Sequence, residues 1–181
     1  DMARLENMAS LCLGYLVRAA VSGMGIEADL KWPNDLLLTA RDGTEITEGK
    51  FGGILLEERN GRILAGLGLN LRHAPGVPLL REGHAVPAVA LPSFDGTVCE
   101  FWADLLAGMI SRYERDVAHA TLEMVRRKGE TALAWRGMTV YAEDAGTTGR
   151  VAGITEDGFL RLETEDGCLL VSSGSIRLLE E

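Results

Sequence analysis

The chain has 181 residues, which is enough for one domain with a small annex or for two small domains. Its 46% hydrophobic and 25% charged residues are ordinary for a soluble globular protein, and its formal charge of -9 argues against direct binding of nucleic acid. No uninterrupted run of about 18 apolar residues occurs, so the sequence predicts no membrane span.

Cysteine and histidine are used sparingly. The three cysteines include no Cys-x-x-Cys pair, and none of the three histidines has a second ligand at metal spacing. We therefore expect a reduced, cytoplasmic protein without a transition metal held by its own side chains.

The first predicted elements are a helix and two short strands. Apolar residues recur with a helical period over residues 3–21, and the glycines within residues 23–25 end that pattern. A strand is predicted over residues 28–32 and ends at Pro33, because proline cannot donate to a sheet ladder. Extended structure resumes at residues 36–38, and a polar loop with a turn at 41–43 is predicted to run to Gly49.

A β-hairpin is the clearest structural pattern of the chain. Two strand-like runs, residues 51–58 and 63–70, flank Asn60-Gly61, the dipeptide that best accommodates the positive φ angles of a type I′ turn. Residues 72–92 hold four of the five prolines and show no periodicity, which predicts a connector.

Two helices and a set of short strands are predicted next. Helical spacing covers residues 97–118 and 122–135, and the basic run 126–128 is most simply a solvated helix face. After Gly137, short β-type runs separated by tight glycine turns predict a small closed barrel. Those runs are residues 139–141, 150–154, 159–163, 168–171 and 175–178. We therefore expect two domains, residues 1–136 and 137–181.

The placement of lysine is the first chemical signal. The chain has fifteen arginines but only three lysines, and two of the three, Lys31 and Lys50, lie in glycine- and asparagine-containing motifs. A lysine ammonium is a compact point charge, which suits contact with a phosphate or carboxylate. The alternative is that both lysines merely lie at strand ends.

Glycines accompany the second lysine. Gly52 and Gly53 follow Lys50 within a strand, where glycine usually marks close approach of a ligand or of another backbone. Gly66 and Gly68 repeat this on the next strand, so the four predict a groove floor, and a β-bulge with Lys50 extended into water is the alternative. The Gly66-Leu67-Gly68 segment opens no helix and carries no dinucleotide signal.

Polar and aromatic side chains flank these glycines. The carboxamide of Asn70 pairs a donor with an acceptor, which suits an adenine edge, although a turn-capping role is equally compatible. Asn34-Asp35 after Pro33 fits either a nucleotide contact or an Asx turn. Trp32 would be costly to expose at a strand end, so it needs a partner on which to pack.

Taken together, these motifs resemble one family. Lys-Trp-Pro-Asn-Asp, then Lys-Phe-Gly-Gly-Ile-Leu-x-Glu and Gly-x-Gly-x-Asn, are similar to the motifs of the biotin protein ligases, and the resemblance covers essentially the whole chain. It implies an α/β (α+β) fold: a mixed, antiparallel sheet with flanking helices of the class II synthetase-like type, followed by an SH3-like barrel. It also implies that biotin, ATP and Mg²⁺ give biotinyl-5'-AMP, whose biotinyl group then passes to a lysine of a biotin carboxyl carrier domain.

The resemblance also implies roles for individual residues. Lys50 matches the catalytic lysine that contacts the biotin carboxylate and the phosphate, where it would neutralise developing charge. Asn70 matches the residue that meets adenine, and Asn34-Asp35 lies near the nucleotide and its Mg²⁺, which the protein alone does not hold. The remaining substrate- and nucleotide-binding candidates are Lys31, Trp32, Gly52, Gly53, Gly66 and Gly68.

Departures from the family pattern leave other functions open. The family's arginine- and glycine-rich loop over biotin would lie upstream of Asp1, so we expect these 181 residues alone to form no biotinyl-adenylate at a useful rate. The alternatives are a ligase for lipoate or another acyl cofactor, and a non-catalytic ligand-binding or interaction module with the same fold. An exposed hairpin edge would also permit a homodimer.

Overall fold

The computed structural model describes residues 8–42, 45–60, 62–76, 86–92 and 94–179. In this part of the chain the helices are α1 (Ala9–Ser22), α2 (Val98–Asp116) and α3 (Leu122–Glu130). The first sheet contains β1 (Ala28–Lys31), β2 (Asp35–Asp42), β3 (Glu45–Arg59) and β4 (Arg62–Leu69). The second contains β5 (Thr139–Ala142), β6 (Thr147–Ile154), β7 (Leu160–Thr164), β8 (Gly167–Val171) and β9 (Ile176–Leu178). No helix among the described residues is both long and apolar enough to cross a membrane.

The first sheet is an antiparallel meander in the order β1-β2-β3-β4. Arg59 pairs with Arg62, and Asn60 has a φ of 53°, which confirms the predicted two-residue hairpin loop. The second residue of that turn, Gly61, lies outside the described residues, as do Gly43 and the first five residues of the predicted first helix.

The predicted polar loop over residues 39–49 is wrong. β2 and β3 continue through it, with Thr39 paired to Glu48 and Asp42 paired to Glu45. Hydrogen bonds between the two backbones hold the strands together whatever the side chains are, so polar residues alone do not end a hairpin.

The predicted helix over residues 122–135 is too long. α3 ends at Glu130, and the chain then lies along the edge of β1, where the Leu30 amide donates to Ala132 and the Ala134 amide donates to Leu30. This pairing satisfies edge groups of β1 and buries Leu133, which gives the apolar residues a better partner than a longer helix would.

Every strand predicted after Gly137 is confirmed. These strands form one antiparallel sheet in the order β8-β7-β6-β5-β9, and the fold of this unit is SH3-like. The side chains of Val140, Leu160, Leu162 and Ile176 are completely buried and belong to a hydrophobic cluster that extends into the first sheet. The division into residues 1–136 and 137–181 stays a prediction.

A buried carboxylate joins the two units. Glu130, at the end of α3, accepts hydrogen bonds from the Ile154 amide (2.9 Å) and from Arg126 (2.7 Å), which also donates to the Ile154 carbonyl. A β-bulge near Gly153 brings this backbone to the carboxylate, and a Cβ at Gly153 would collide with it. The prediction of a solvated basic face on α3 is therefore wrong for Arg126, although Arg127 is exposed.

A partly buried carboxylate joins the three helices. Asp116 of α2 accepts hydrogen bonds from the Tyr15 hydroxyl of α1 (2.6 Å), from Lys128 of α3 (2.9 Å) and from Arg112 (3.2 Å). The hydrogen bond from Tyr15 and those from the two cations lower the pKa of Asp116 from 3.8 to about 2, against the opposing effect of burial. Lys128 therefore also serves in packing and does not merely decorate a solvated face.

We predict that Asp116→Asn reduces the free energy of unfolding by about 2 kcal/mol at pH 7, the equivalent of this pKa difference. Because the folded-state pKa is depressed, the stabilisation is complete above the unfolded pKa of 3.8 and is lost as pH falls through about 2. Urea unfolding of both proteins should therefore show a difference that shrinks between about pH 5 and pH 2. Asp104→Asn on the same helix is the control, and a pH-independent difference for Asp116→Asn would contradict the assignment.

We also predict that Glu130→Ala destabilises the protein by about 3 kcal/mol, because it leaves a partly buried Arg126 and the Ile154 amide without their shared acceptor. Denaturant unfolding measures the effect. Glu165→Ala, in the exposed turn between β7 and β8, should change the stability by less than about 0.5 kcal/mol. Equal effects of the two substitutions would show that the Glu130 contacts do not hold the units together.

Candidate functional site

One row of cross-strand neighbours runs across all four strands of the first sheet. Lys31 of β1 pairs with Asp35 of β2, Asp35 pairs with Gly53 of β3, and Gly53 pairs with Gly68 of β4. Directly paired residues project from the same face of a sheet. The sequence motifs are therefore brought together, with two charged side chains at one end of the row and two bare positions at the other.

A β-bulge brings Lys50 to this row. Leu36 pairs with Gly52 and Leu37 pairs with Lys50, so Phe51 is the extra residue in β3, and its side chain is completely buried. The Lys50 ammonium lies 2.6 Å from Asp35 Oδ1, and a Cβ placed on Gly53 would lie 3.9 Å from Lys50 Cε. The Lys50 side chain is 41% exposed, so its cation is held in place yet open to a ligand.

Lys31, at one end of this row, is buried and does not face solvent. Only 4% of the residue is exposed, and its ammonium contacts Asp35 Oδ2 at 3.4 Å and Ser175 Oγ at 3.3 Å. The ring of Trp135 lies 5.9 Å from the same nitrogen, and its indole nitrogen donates to Glu48 at 2.9 Å. The structure therefore buries the Lys31 ammonium among protein partners, and direct contact of Lys31 with a ligand stays a prediction.

The four glycines serve two purposes. Gly52 is buried, and a Cβ there would collide with the Gly68 carbonyl, so Gly52 permits close approach of two backbones. Gly53 and Gly68 lie on the open face, and a Cβ on Gly68 would meet nothing within 4 Å. Gly66 pairs with the exposed Leu55 farther along that face. The predicted groove floor is therefore Gly53, Gly66 and Gly68, without Gly52.

The two predicted asparagines hold the backbone of the site. Asn34 Nδ2 donates to the Ile54 carbonyl at 2.9 Å, and the Ile54 amide donates to the Asn34 carbonyl at 2.8 Å. Asn70 Nδ2 donates to the carbonyls of Lys50 (3.3 Å) and Val89 (3.2 Å). Both amide hydrogens of Asn70 are thus engaged, which leaves its carbonyl oxygen, and not a donor–acceptor pair, to meet a nucleotide.

Trp32 is not part of this face. The residue is 5% exposed, and its indole nitrogen donates at 3.2 Å to the carbonyl of Gly158, in the turn between β6 and β7. The sequence argument that Trp32 needs a partner is correct, but the partner is the protein itself. The prediction that Trp32 binds substrate is therefore not supported by its position.

The carboxylate of Asp35 is poorly suited to hold a metal ion. Its two oxygens face the ammonium groups of Lys50 and Lys31, whose charges would repel a divalent cation. Among the described residues no group of three or more histidine, cysteine, aspartate or glutamate side chains could hold a metal ion. Asp35 instead fixes the two lysines.

Sequence reasoning missed Glu48, Trp135 and Ser175. Trp135 falls in the apolar pattern that predicted a longer helix, and Ser175 lies at the start of a predicted strand. A signal was nevertheless present: a lysine in a buried strand needs more than one polar partner, so a partner from a distant segment could be expected beside Asp35.

Comparison with known proteins identifies proteins with a similar fold. Residues 139–179 match the family model described as "Biotin protein ligase C terminal domain". The apo biotin protein ligase of Aquifex aeolicus is similar with a TM-score of 0.76 and 24% identity, over 97% of this chain and 76% of that one. A structure of biotin protein ligase from the same organism in complex with biotin and ATP gives 0.69 and 24%, over 95% and 71%.

A further similar structure is a biotin protein ligase-like protein of unknown function from Silicibacter sp. TM1040, with a TM-score of 0.65 and 18% identity over 93% of this chain and 72% of that one. These likenesses confirm the fold class and the resemblance carried by the motifs. Residues 139–179 belong to the biotin protein ligase C-terminal domain family, and the chain has the fold of the biotin protein ligases.

Proposed function

We propose that this chain acts as a biotin protein ligase, or as a large part of one. It would join biotin to ATP to give biotinyl-5'-AMP and would transfer the biotinyl group to a lysine of a biotin carboxyl carrier domain. The observation that carries the proposal is the half-exposed Lys50 ammonium, fixed by Asp35 beside the bare positions Gly53 and Gly68. The fold adds support, because a similar structure holds biotin and ATP.

In the first step, a carboxylate oxygen of biotin attacks the α-phosphorus of ATP. The new O–P bond forms as the bond from the α-phosphorus to the pyrophosphate oxygen breaks, and pyrophosphate leaves. Negative charge lies on both reactants, so the Lys50 ammonium would reduce their repulsion and stabilise the charge that develops on the phosphoryl oxygens. Asp35 holds this ammonium in advance, which removes a cost of orientation during the reaction.

In the second step, the neutral amine of the acceptor lysine attacks the acyl carbon of biotinyl-AMP. A C–N bond forms, the bond to the AMP phosphate oxygen breaks, and the amine loses a proton. The open face of Gly53, Gly66 and Gly68 leaves room for a flat adenylate on the sheet, and the carbonyl oxygen of Asn70 lies at the end of the neighbouring strand. Mg²⁺ is proposed to arrive with the ATP phosphates, where it would supply further neutralisation of charge.

A second candidate is a binding module with this fold but without ligase activity. The similarity to a ligase-like protein of unknown function favours keeping this candidate. A ligase for lipoate or another acyl cofactor would use the same cation and the same face. The three candidates are distinguished by incubating the full-length protein with ATP, Mg²⁺ and either biotin or lipoate, and measuring pyrophosphate release. A biotin ligase releases pyrophosphate only with biotin, a lipoate ligase only with lipoate, and a binding module with neither.

Lys50→Ala is expected to slow formation of biotinyl-AMP by about two orders of magnitude or more, the scale of losing one preorganised electrostatic contact. The measurement is biotin-dependent pyrophosphate release by the full-length protein. Arg59→Ala is the matched control, because it removes an exposed cation from the distal end of the same strand. Equal rates for the two variants would place Lys50 outside the site.

Gly68→Val tests the open face. The added side chain meets empty space and a β-branched residue suits a strand, so the unfolding midpoint should stay within about 0.5 kcal/mol of the parent value. We expect the KM for biotin or ATP to rise at least about tenfold, because the side chain occupies the proposed ligand space. Ala65→Val, exposed on the same strand, is the control, and unchanged kinetics for Gly68→Val would show that ligands do not bind this face.

A further inference from the structure

The cation of the site is connected to the second sheet by a short series of polar contacts. Asp35 binds the Lys50 ammonium through Oδ1 and the Lys31 ammonium through Oδ2, and Lys31 in turn donates to Ser175 Oγ. Ser175 directly precedes β9. A residue of the SH3-like unit is therefore two contacts away from the carboxylate that orients the cation.

Lys31 depends on this contact because it is buried. An ammonium group removed from water needs hydrogen-bond acceptors in the protein. The Lys31 side chain is only 5% exposed, so its acceptors must come from the protein. Its partners are the carboxylate of Asp35, the hydroxyl of Ser175 and the face of Trp135. Of these three partners, only the Ser175 hydroxyl comes from the SH3-like unit.

The segment around Ser175 is built to hold that hydroxyl in place. Gly174 has a φ of 99°, and a Cβ there would lie 2.5 Å from Cγ of Asp144. The Ser175 carbonyl accepts from the Glu143 amide at 3.0 Å, and the next residue, Ile176, is completely buried and paired with Ala142. Backbone restraints on both sides therefore fix the direction of the Cα–Cβ bond of Ser175, from which its hydroxyl reaches Lys31.

We propose that Ser175 is a positioning residue, which shares the Lys31 ammonium with Asp35 and thereby leaves the charge of Asp35 available to fix the Lys50 cation of the site. Without the hydroxyl, Lys31 loses an acceptor and moves closer to Asp35, which then shares its charge less with Lys50. The Lys50 ammonium is released toward solvent and spends less time in the orientation that the reaction requires. This inference rests on the proposed function for its kinetic consequence but not for its structural one.

The structural consequence is measurable without any enzymatic assay, because the chain has only three lysines. Brief reductive methylation with formaldehyde and cyanoborohydride, followed by peptide mass spectrometry, gives a labelling rate for each lysine. Ser175→Ala should raise the labelling rate of Lys50 about fivefold, the scale of losing one long hydrogen bond, while that of Lys128 stays constant. Ser173→Ala, an exposed serine in the same loop, should change neither rate, and Ser175→Thr should restore the parent rate.

The kinetic readout uses the same variants. Ser175→Ala should lower kcat for biotin-dependent pyrophosphate release about fivefold with little change in KM, and should add no further loss in a Lys50→Ala background. Lys31→Met removes the ammonium that competes with Lys50 for Asp35, so it should not raise the labelling rate of Lys50, and Ser175→Ala should add no increase in that background. Unchanged Lys50 labelling in Ser175→Ala, or an equal increase with and without Lys31, would overturn the inference. If Ser175→Ala raises the labelling rate of Lys50 but the parent protein releases no pyrophosphate, the positioning role of Ser175 is upheld and the proposed function is rejected.

Discussion

The burial of one lysine is the constraint on which the site depends. Lys31 lies where the first sheet, the segment after α3 and the SH3-like unit meet, and each of the three supplies a partner for its ammonium. A buried charge is tolerated only when its partners are placed accurately, so the presence of Lys31 requires all three segments to dock in one arrangement. That arrangement also fixes Asp35, and Asp35 fixes Lys50.

The irregularities of the sheets fall where the two units and the site are assembled. The bulge at Phe51 brings both Lys50 and Gly53 close to Asp35. In a regular strand, residues three positions apart would project to opposite faces of the sheet. The bulge near Gly153 presents the Ile154 backbone to Glu130. In both places the sheet gives up a regular ladder, and a buried side chain, Phe51 or Glu130, holds the distortion.

Local patterns predicted most of the architecture. Helical periodicity, the Asn60-Gly61 turn and the short strands after Gly137 depend on neighbouring residues, so the sequence shows them directly. The end of α3 was not predictable in this way, because residues 132–134 leave the helix to pair with the edge of β1. That competition between a helix and a distant strand edge has no local signature.

The sequence predicted which residues come together at the site, but not which contacts each of them makes. The motifs correctly bring Lys31, Asp35 and the glycines together, because they lie on consecutive strands of one meander. They do not show which side chains face a ligand: Trp32 packs on the second sheet, Gly52 accommodates β4, and Asn34 holds a backbone carbonyl. Those distinctions depend on the side of the strand and on the bulge, which shift with a single residue of register.

This division of labour explains why so short a motif as residues 31–35 needs several unlike residues in succession. Lys31 donates a hydrogen bond to Ser175, and Trp32 donates one to the carbonyl of Gly158. Asn34 donates to a backbone carbonyl of β3, and Asp35 binds the exposed Lys50 ammonium. Residues 32–34 form the turn between β1 and β2, where side chains are not confined to the two faces of a sheet, so the motif can contact both units at once. A motif of this kind couples assembly of the fold to assembly of the site, because a change at any of its positions disturbs a contact on which the next position depends.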